Sequence, residues 1–121
     1  MRQHIKTFTV EIIKRGVLVF MGSWEQFRNY LKRYYPCYLT EVERMWDNAP
    51  PGSAYTFKVA GDAIIYADSV ICGSTMVHEI AHATKHLLSL VEIEDEEAEC
   101  YTLEYLYERI IPWLKTIRQK P

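Results

Sequence analysis

"TMVHEIAHATKH", Thr75–His86, is the stretch on which the reading of this chain turns. On a helix at about 100° per residue, Met76, Val77, Ile80, Ala81, Ala83, Thr84, Leu87 and Leu88 fill one broad arc. His78, Glu79, His82, Lys85 and His86 share the opposite arc. Such a helix packs on a core with its apolar side. It then presents two histidines and a glutamate together, towards a cleft or towards water.

Upstream, "AYTFKVA" and "AIIYA" enclose Gly61-Asp62, a two-residue turn signal that predicts a β-hairpin ahead of this helix. "NAPPGS", residues 48–53, is the clearest loop. Before it, Thr40 with Glu43 three positions on marks the start of a short helix with Val42, Met45 and Trp46 as its apolar face. "SWEQFRNYLKRYY" opens with Ser23 and Gln26 at capping-box spacing and sets Trp24, Phe27, Tyr30, Leu31 and Tyr34 on one side. Pro36 is expected to stop that helix. "FTVEII" and "GVLVF" flank the turn-prone "KRG" and read as a strand pair. The last part of the chain reads as two helices, roughly 74–89 and 94–116, the second kinked or shortened at Pro112. Strands first and long helices last predict an α+β fold, a short antiparallel sheet packed on helices, rather than a wound parallel sheet.

A length of 121 residues bounds a single domain, 1–121, with one core. The net charge of −2 gives no case for nucleic acid or an anionic membrane as partner. The short basic groups at 28, 32, 33 and at 115, 118, 120 read as solvated surface. Cys37, Cys72 and Cys100 form no CxxC pair, which argues for a reducing compartment. Glu11, Lys14 and Arg15 interrupt the apolar runs of the first 22 residues, so neither a signal peptide nor a membrane span is predicted. The expected location is the cytoplasm.

Positions i and i+4 of a helix lie one turn apart on one face, so His78 and His82 can aim ring nitrogens at a common zinc ion about 2.0–2.1 Å away. Glu79, on the flank, can take a proton from water on that metal instead of ligating it, which is the mechanical content of HExxH. His86 lies two turns beyond His78, about 12 Å along the axis, too far to share the ion. It is expected beside the site, at the surface, or paired with His82 in an alternative site. A catalytic zinc takes three protein ligands and keeps one open position. Lys85 stands where a metzincin has glycine, which excludes that class. The acidic run "EIEDEEAECY", residues 92–101, is the natural source of the third ligand, although carboxylates also suit the start of a helix.

HExxH followed by a glutamate on the next helix resembles the gluzincin branch of the zinc metallopeptidases. "HEIAHAT" with "DEEAECYTLEYL" is similar to small metallopeptidases of phages and mobile elements, and Glu97, Tyr101 and Tyr105 match the spacing of their second motif. The resemblance covers roughly residues 62–106. It implies a small zincin-like domain, Zn2+ held by His78, His82 and Glu97, Glu79 as base, and a peptide or protein substrate. Glu96 and Glu99 remain alternatives for the third ligand. Tyr101 would pack in the core, or else stabilise a ligand or the substrate carbonyl. "DAIIYAD" is the segment expected to line the cleft and pair with an extended substrate.

Two further functions compete. Peptide deformylases also use HExxH with an upstream cysteine ligand, but Cys72 is six residues before His78 and lacks their surrounding motif. The other is a metal-containing binding protein without catalysis, such as a phage or mobile-element inhibitor of a host factor. Glu79 favours catalysis, since a purely structural site needs no base.

Overall fold

The first hairpin pairs β1 (His4–Val10) antiparallel with β2 (Arg15–Met21), from His4↔Met21 to Val10↔Arg15. The computed structural model describes residues 2–45, 53–68 and 73–118. Glu11–Ile13, expected to extend the first strand, instead form a turn of 3-10 helix, and Lys14 at φ 55 returns the chain. Helix α1 (Trp24–Tyr34) starts at the expected capping box, in which the Ser23 side chain accepts from the Gln26 N–H and the Gln26 side chain from the Ser23 N–H. Pro36 ends α1 only to open α2 (Pro36–Met45), four residues ahead of Thr40. Its fixed φ suits the first helical position, where a missing N–H costs nothing. Trp46 and residues 48–52 of the expected loop lie outside the described residues.

The second hairpin is β3 (Ala54–Val59) with β4 (Asp62–Ala67), turning on Ala60 and Gly61 rather than on Gly61-Asp62. Gly61 has φ 85, a conformation that suits glycine. Helices α3 (Gly73–Leu90) and α4 (Glu96–Arg118) follow. Pro112 does not shorten α4, which continues past it. One turn on, the Thr116 hydroxyl donates to the Pro112 carbonyl at 2.9 Å.

The class is α+β, but the sheet is mixed, in the order β1-β2-β4-β3, with β2 and β4 parallel. The expectation of an antiparallel sheet is thus corrected. Between β2 and β4 the chain runs through α1, α2 and β3, a crossover long enough to bring β4 back alongside β2 in the same direction. Helices cover both faces. On one, Val17, Val19, Ala63 and Ile65 meet Met76, Ile80 and Leu87 of α3 and Leu106 and Ile110 of α4. On the other, Phe20, Phe57, Ile64 and Tyr66 meet Trp24, Phe27 and Leu31 of α1 and Val42 of α2. Burial from two sides is why β4 reads as a continuous apolar run.

Tyr66, 1% exposed, donates its hydroxyl to the Gly22 carbonyl at 3.1 Å. Burial, with the Asp68 charge adding to it, pushes its pKa up to about 12. Among the described residues no helix is long and apolar enough to cross a membrane.

Candidate metal centre

Helix α3 buries its apolar arc on the sheet, which leaves His78, Glu79 and His82 on the flank that meets β3. The His78 and His82 Nε2 atoms stand 3.0 Å apart, with ring planes at 82°. Two nitrogens bound to one tetrahedral zinc stand about 3.3 Å apart, so the two are near the separation that a shared ion needs. The same distance serves an imidazole–imidazole hydrogen bond, in which one ring carries its proton on Nε2 and the other on Nδ1.

Glu79, 6% exposed, leaves the solvated arc that the helical wheel assigned to it. The cause is Thr56 of β3, whose buried hydroxyl lies 2.9 Å from Glu79 Oε1 and 2.9 Å from the Glu79 main-chain oxygen. A hydroxyl has one proton, so the two acceptors share it. Donated to Oε1, that proton holds the carboxylate against the strand, beside the two histidines. Sequence reasoning missed Thr56. The period-2 pattern of "AYTFKV" places it on one face with Ala54 and Lys58, but only the sheet order brings that face against α3. A cleft of about 420 Å³ is lined by Ala54, Tyr55, Thr56 and Lys58 from β3 and by His78, Glu79 and His82 from α3.

Other expectations fare differently. His86 Nε2 lies 3.0 Å from the Asp62 carbonyl and 3.3 Å from that of Val59, so its N–H ties α3 to the β3–β4 turn. Glu97 is exposed in the first turn of α4, its own N–H donating to Asp95 Oδ1 at 3.1 Å. Glu99 reaches back to α3, with its Oε1 3.7 Å from Lys85 Nζ. Two residues of helix rotation put Glu97 about 160° around the axis from Glu99, away from α3. Glu96 lines a separate recess with Lys85 and Glu99. Tyr101, on the Glu97 side, is 68% exposed and does not pack in the core. Tyr105 does hold α4 to the sheet, donating to the Thr9 carbonyl at 3.1 Å. Cys72 lies outside the described residues, and Cys37 and Cys100 are exposed thiols.

Among the described residues, no three histidine, cysteine, aspartate or glutamate side chains are grouped to hold a metal ion. Two donors of the right chemistry and spacing are in place beside a fixed carboxylate. The third is not brought to them. The cleft-lining strand also differs from expectation: β4 is flanked by β2 and β3 and has no free edge, whereas β3 is the outer strand. Comparison with protein-family models, curated proteins and solved structures finds no match to this chain.

Proposed function

We propose that this protein is a small zincin-like, zinc-dependent hydrolase of peptide bonds, working in the cytoplasm. The observation that carries the reading is the convergence of His78 and His82 Nε2, 3.0 Å apart, beside a buried Glu79 held by Thr56. His78 and His82 would hold the ion; the resemblance gives Glu97 as third donor, and because Glu97 faces away from α3, helix α4 would have to turn for it to reach them. Bound there, zinc would polarise the scissile carbonyl and lower the pKa of its water to about 7.

The chain's own residues do the rest. Thr56 engages Glu79 Oε1, so Oε2 is the oxygen left to accept a proton from the attacking water and return it to the leaving amine. The outer edge of β3, unpaired among the described residues, offers main-chain pairing to an extended peptide over the same cleft.

The test is metal content together with turnover. Protein purified without added metal or chelator is expected to carry about one zinc per chain, and His78→Ala to lose it. Glu79→Gln is expected to keep the zinc and lose about 10²–10⁴-fold in cleavage of an unfolded protein pool, read by mass spectrometry. Equal cleavage by wild type and Glu79→Gln at equal zinc occupancy would sink the assignment of the base. The absence of a third assembled donor among the described residues favours a second reading, a non-catalytic metal-containing binding protein such as a phage or mobile-element inhibitor of a host factor. No cleavage by either form, with biological activity unaffected by Glu79→Gln, would establish that reading.

A further inference from the structure

The register of β3 shows which of its main-chain groups have no strand partner among the described residues. The Asp68 N–H donates to the Ser53 carbonyl at 2.9 Å, and Val59 pairs with Asp62 across the two-residue turn. Hydrogen-bonded positions alternate along an antiparallel pair. The N–H and C=O groups of Tyr55, Phe57 and Val59 therefore point at β4, and those of Ala54, Thr56 and Lys58 point outward from the sheet. Thr56 also holds Glu79, so the open edge and the carboxylate are joined through one residue.

A second cleft lies along this strand. The first, with His78, Glu79 and His82, is on the α3 side. The other, about 180 Å³, is on the α2 side, with Tyr38, Glu41, Val42, Tyr55 and Phe57 in its walls. Tyr55, Thr56 and Lys58 belong to both. The walls are fixed. The Tyr38 hydroxyl accepts the Ala60 N–H at 2.8 Å, Val42 is buried, and the Tyr55 and Phe57 rings lie 4.9 Å apart.

Successive side chains of an extended peptide point to opposite faces, and those on one face meet the cross-strand neighbours of that face. A peptide paired with the edge of β3 sends one side chain towards Thr56 and Glu79, and the next towards Tyr55, Phe57 and the α2-side cleft. We propose that the α2-side cleft is a subsite for one bulky apolar or aromatic side chain of an extended peptide seated on β3. The identity of the peptide as a substrate rests on the peptidase reading, whereas its binding does not. Any two bonded residues alternate in facing, so only one of the pair joined by the cut bond faces this cleft.

The experiment uses ¹⁵N-labelled Glu79→Gln protein titrated with blocked peptides Lys-Thr-Thr-Xaa-Thr-Thr-Lys, where Xaa is Gly, Leu or Phe. The Ala54, Thr56 and Lys58 amides are expected to shift with each peptide. Leu and Phe guests are expected to bind at least about 10-fold more tightly than Gly, in keeping with burial of a large apolar side chain. Adding Tyr55→Ala, at a partly exposed position, is expected to cut that advantage below about threefold. A Phe guest that binds no better than Gly, or keeps its advantage without Tyr55, overturns the subsite. No shift at the three outward amides overturns the seat on β3 as well. Cleavage of an unstructured peptide pool by wild type is a separate readout. No cleavage sinks the peptidase reading and leaves the binding result standing. Cleavage with bulky apolar residues favoured on both sides of the cut bond overturns the alternation.

Discussion

Thr56 and Glu79 show how one hydroxyl joins a strand to the reacting face of a helix. Replacing Thr56 by the near-isosteric Val leaves Glu79 Oε1 buried without its donor, a loss of about 1–3 kcal/mol in unfolding free energy. The carboxylate is also freed to rotate. On the peptidase reading, Thr56→Val is expected to lower kcat by about 10-fold or more with KM within about twofold, because positioning of the base is felt in the transition state. Thr56→Ser keeps the hydroxyl and is expected to restore both stability and kcat. Denaturant unfolding and steady-state kinetics on the three proteins measure this, and a Ser variant as impaired as Val would mean that the hydroxyl is not what matters. Both residue types are plain in the sequence. Their meeting is not, because 23 positions separate them and no local pattern links them.

Elements explain the mixed record of the candidate ligands. The i, i+4 geometry of one helix puts His78 and His82 on one face wherever that helix sits, and their Nε2 atoms meet at 3.0 Å. A donor from another helix depends on rotation about that helix's own axis. Helix α4 is rotated so that Glu99 faces Lys85 and Glu97 faces away. By the resemblance, and only if α4 turns about its axis when zinc binds, Glu97→Gln is expected to weaken zinc binding about 10- to 100-fold, and Glu99→Gln to leave it within about threefold. Competition against a chromogenic chelator reads both. The reverse result would assign the ligand to the α3-facing side of α4, with zinc displacing Lys85 from Glu99. His86 belongs to the hairpin, not to the metal. His86→Ala is expected to leave zinc affinity within about twofold and to speed hydrogen exchange of the Ala60–Asp62 amides. A large loss of zinc would restore the His82–His86 pair.

The whole molecule is a sheet with helices on both faces, and Tyr66 is buried among the aromatic rings of one of them. Its folded pKa of about 12 lies above the ordinary value of 10. Below pH 10 the phenol is neutral in both states, and its contribution to stability is fully present. Above pH 10 the unfolded chain ionises first, so that contribution falls until the folded phenol ionises near pH 12. Two pKa units correspond to about 2–3 kcal/mol. Tyr66→Phe is expected to remove that part of the alkaline fall between pH 10 and 12, at a loss of about 1 kcal/mol at pH 8 from the missing bond to Gly22. Unfolding curves of the two proteins at several pH values give the difference. Parallel pH dependences would mean that Tyr66 ionises as readily folded as unfolded.

Features under short-range control were legible in neighbouring residues. The capping box starts α1, Gly61 permits the β3–β4 turn, and a 3.6-residue period puts His78, Glu79 and His82 in adjoining positions. Tertiary structure decided everything that needs two distant segments. The crossover through α1 and α2 made β4 central and β3 an outer strand, and Thr56 of that strand holds the buried Glu79. The same packing turned Glu97 and Tyr101 to solvent, although their spacing in the chain fits a ligand motif. The physical reason is the range of the forces involved. Capping, turn and periodicity energies act within about one helical turn and are written in neighbouring letters. Strand order and helix rotation minimise exposed apolar area over the whole chain, so no single stretch contains them.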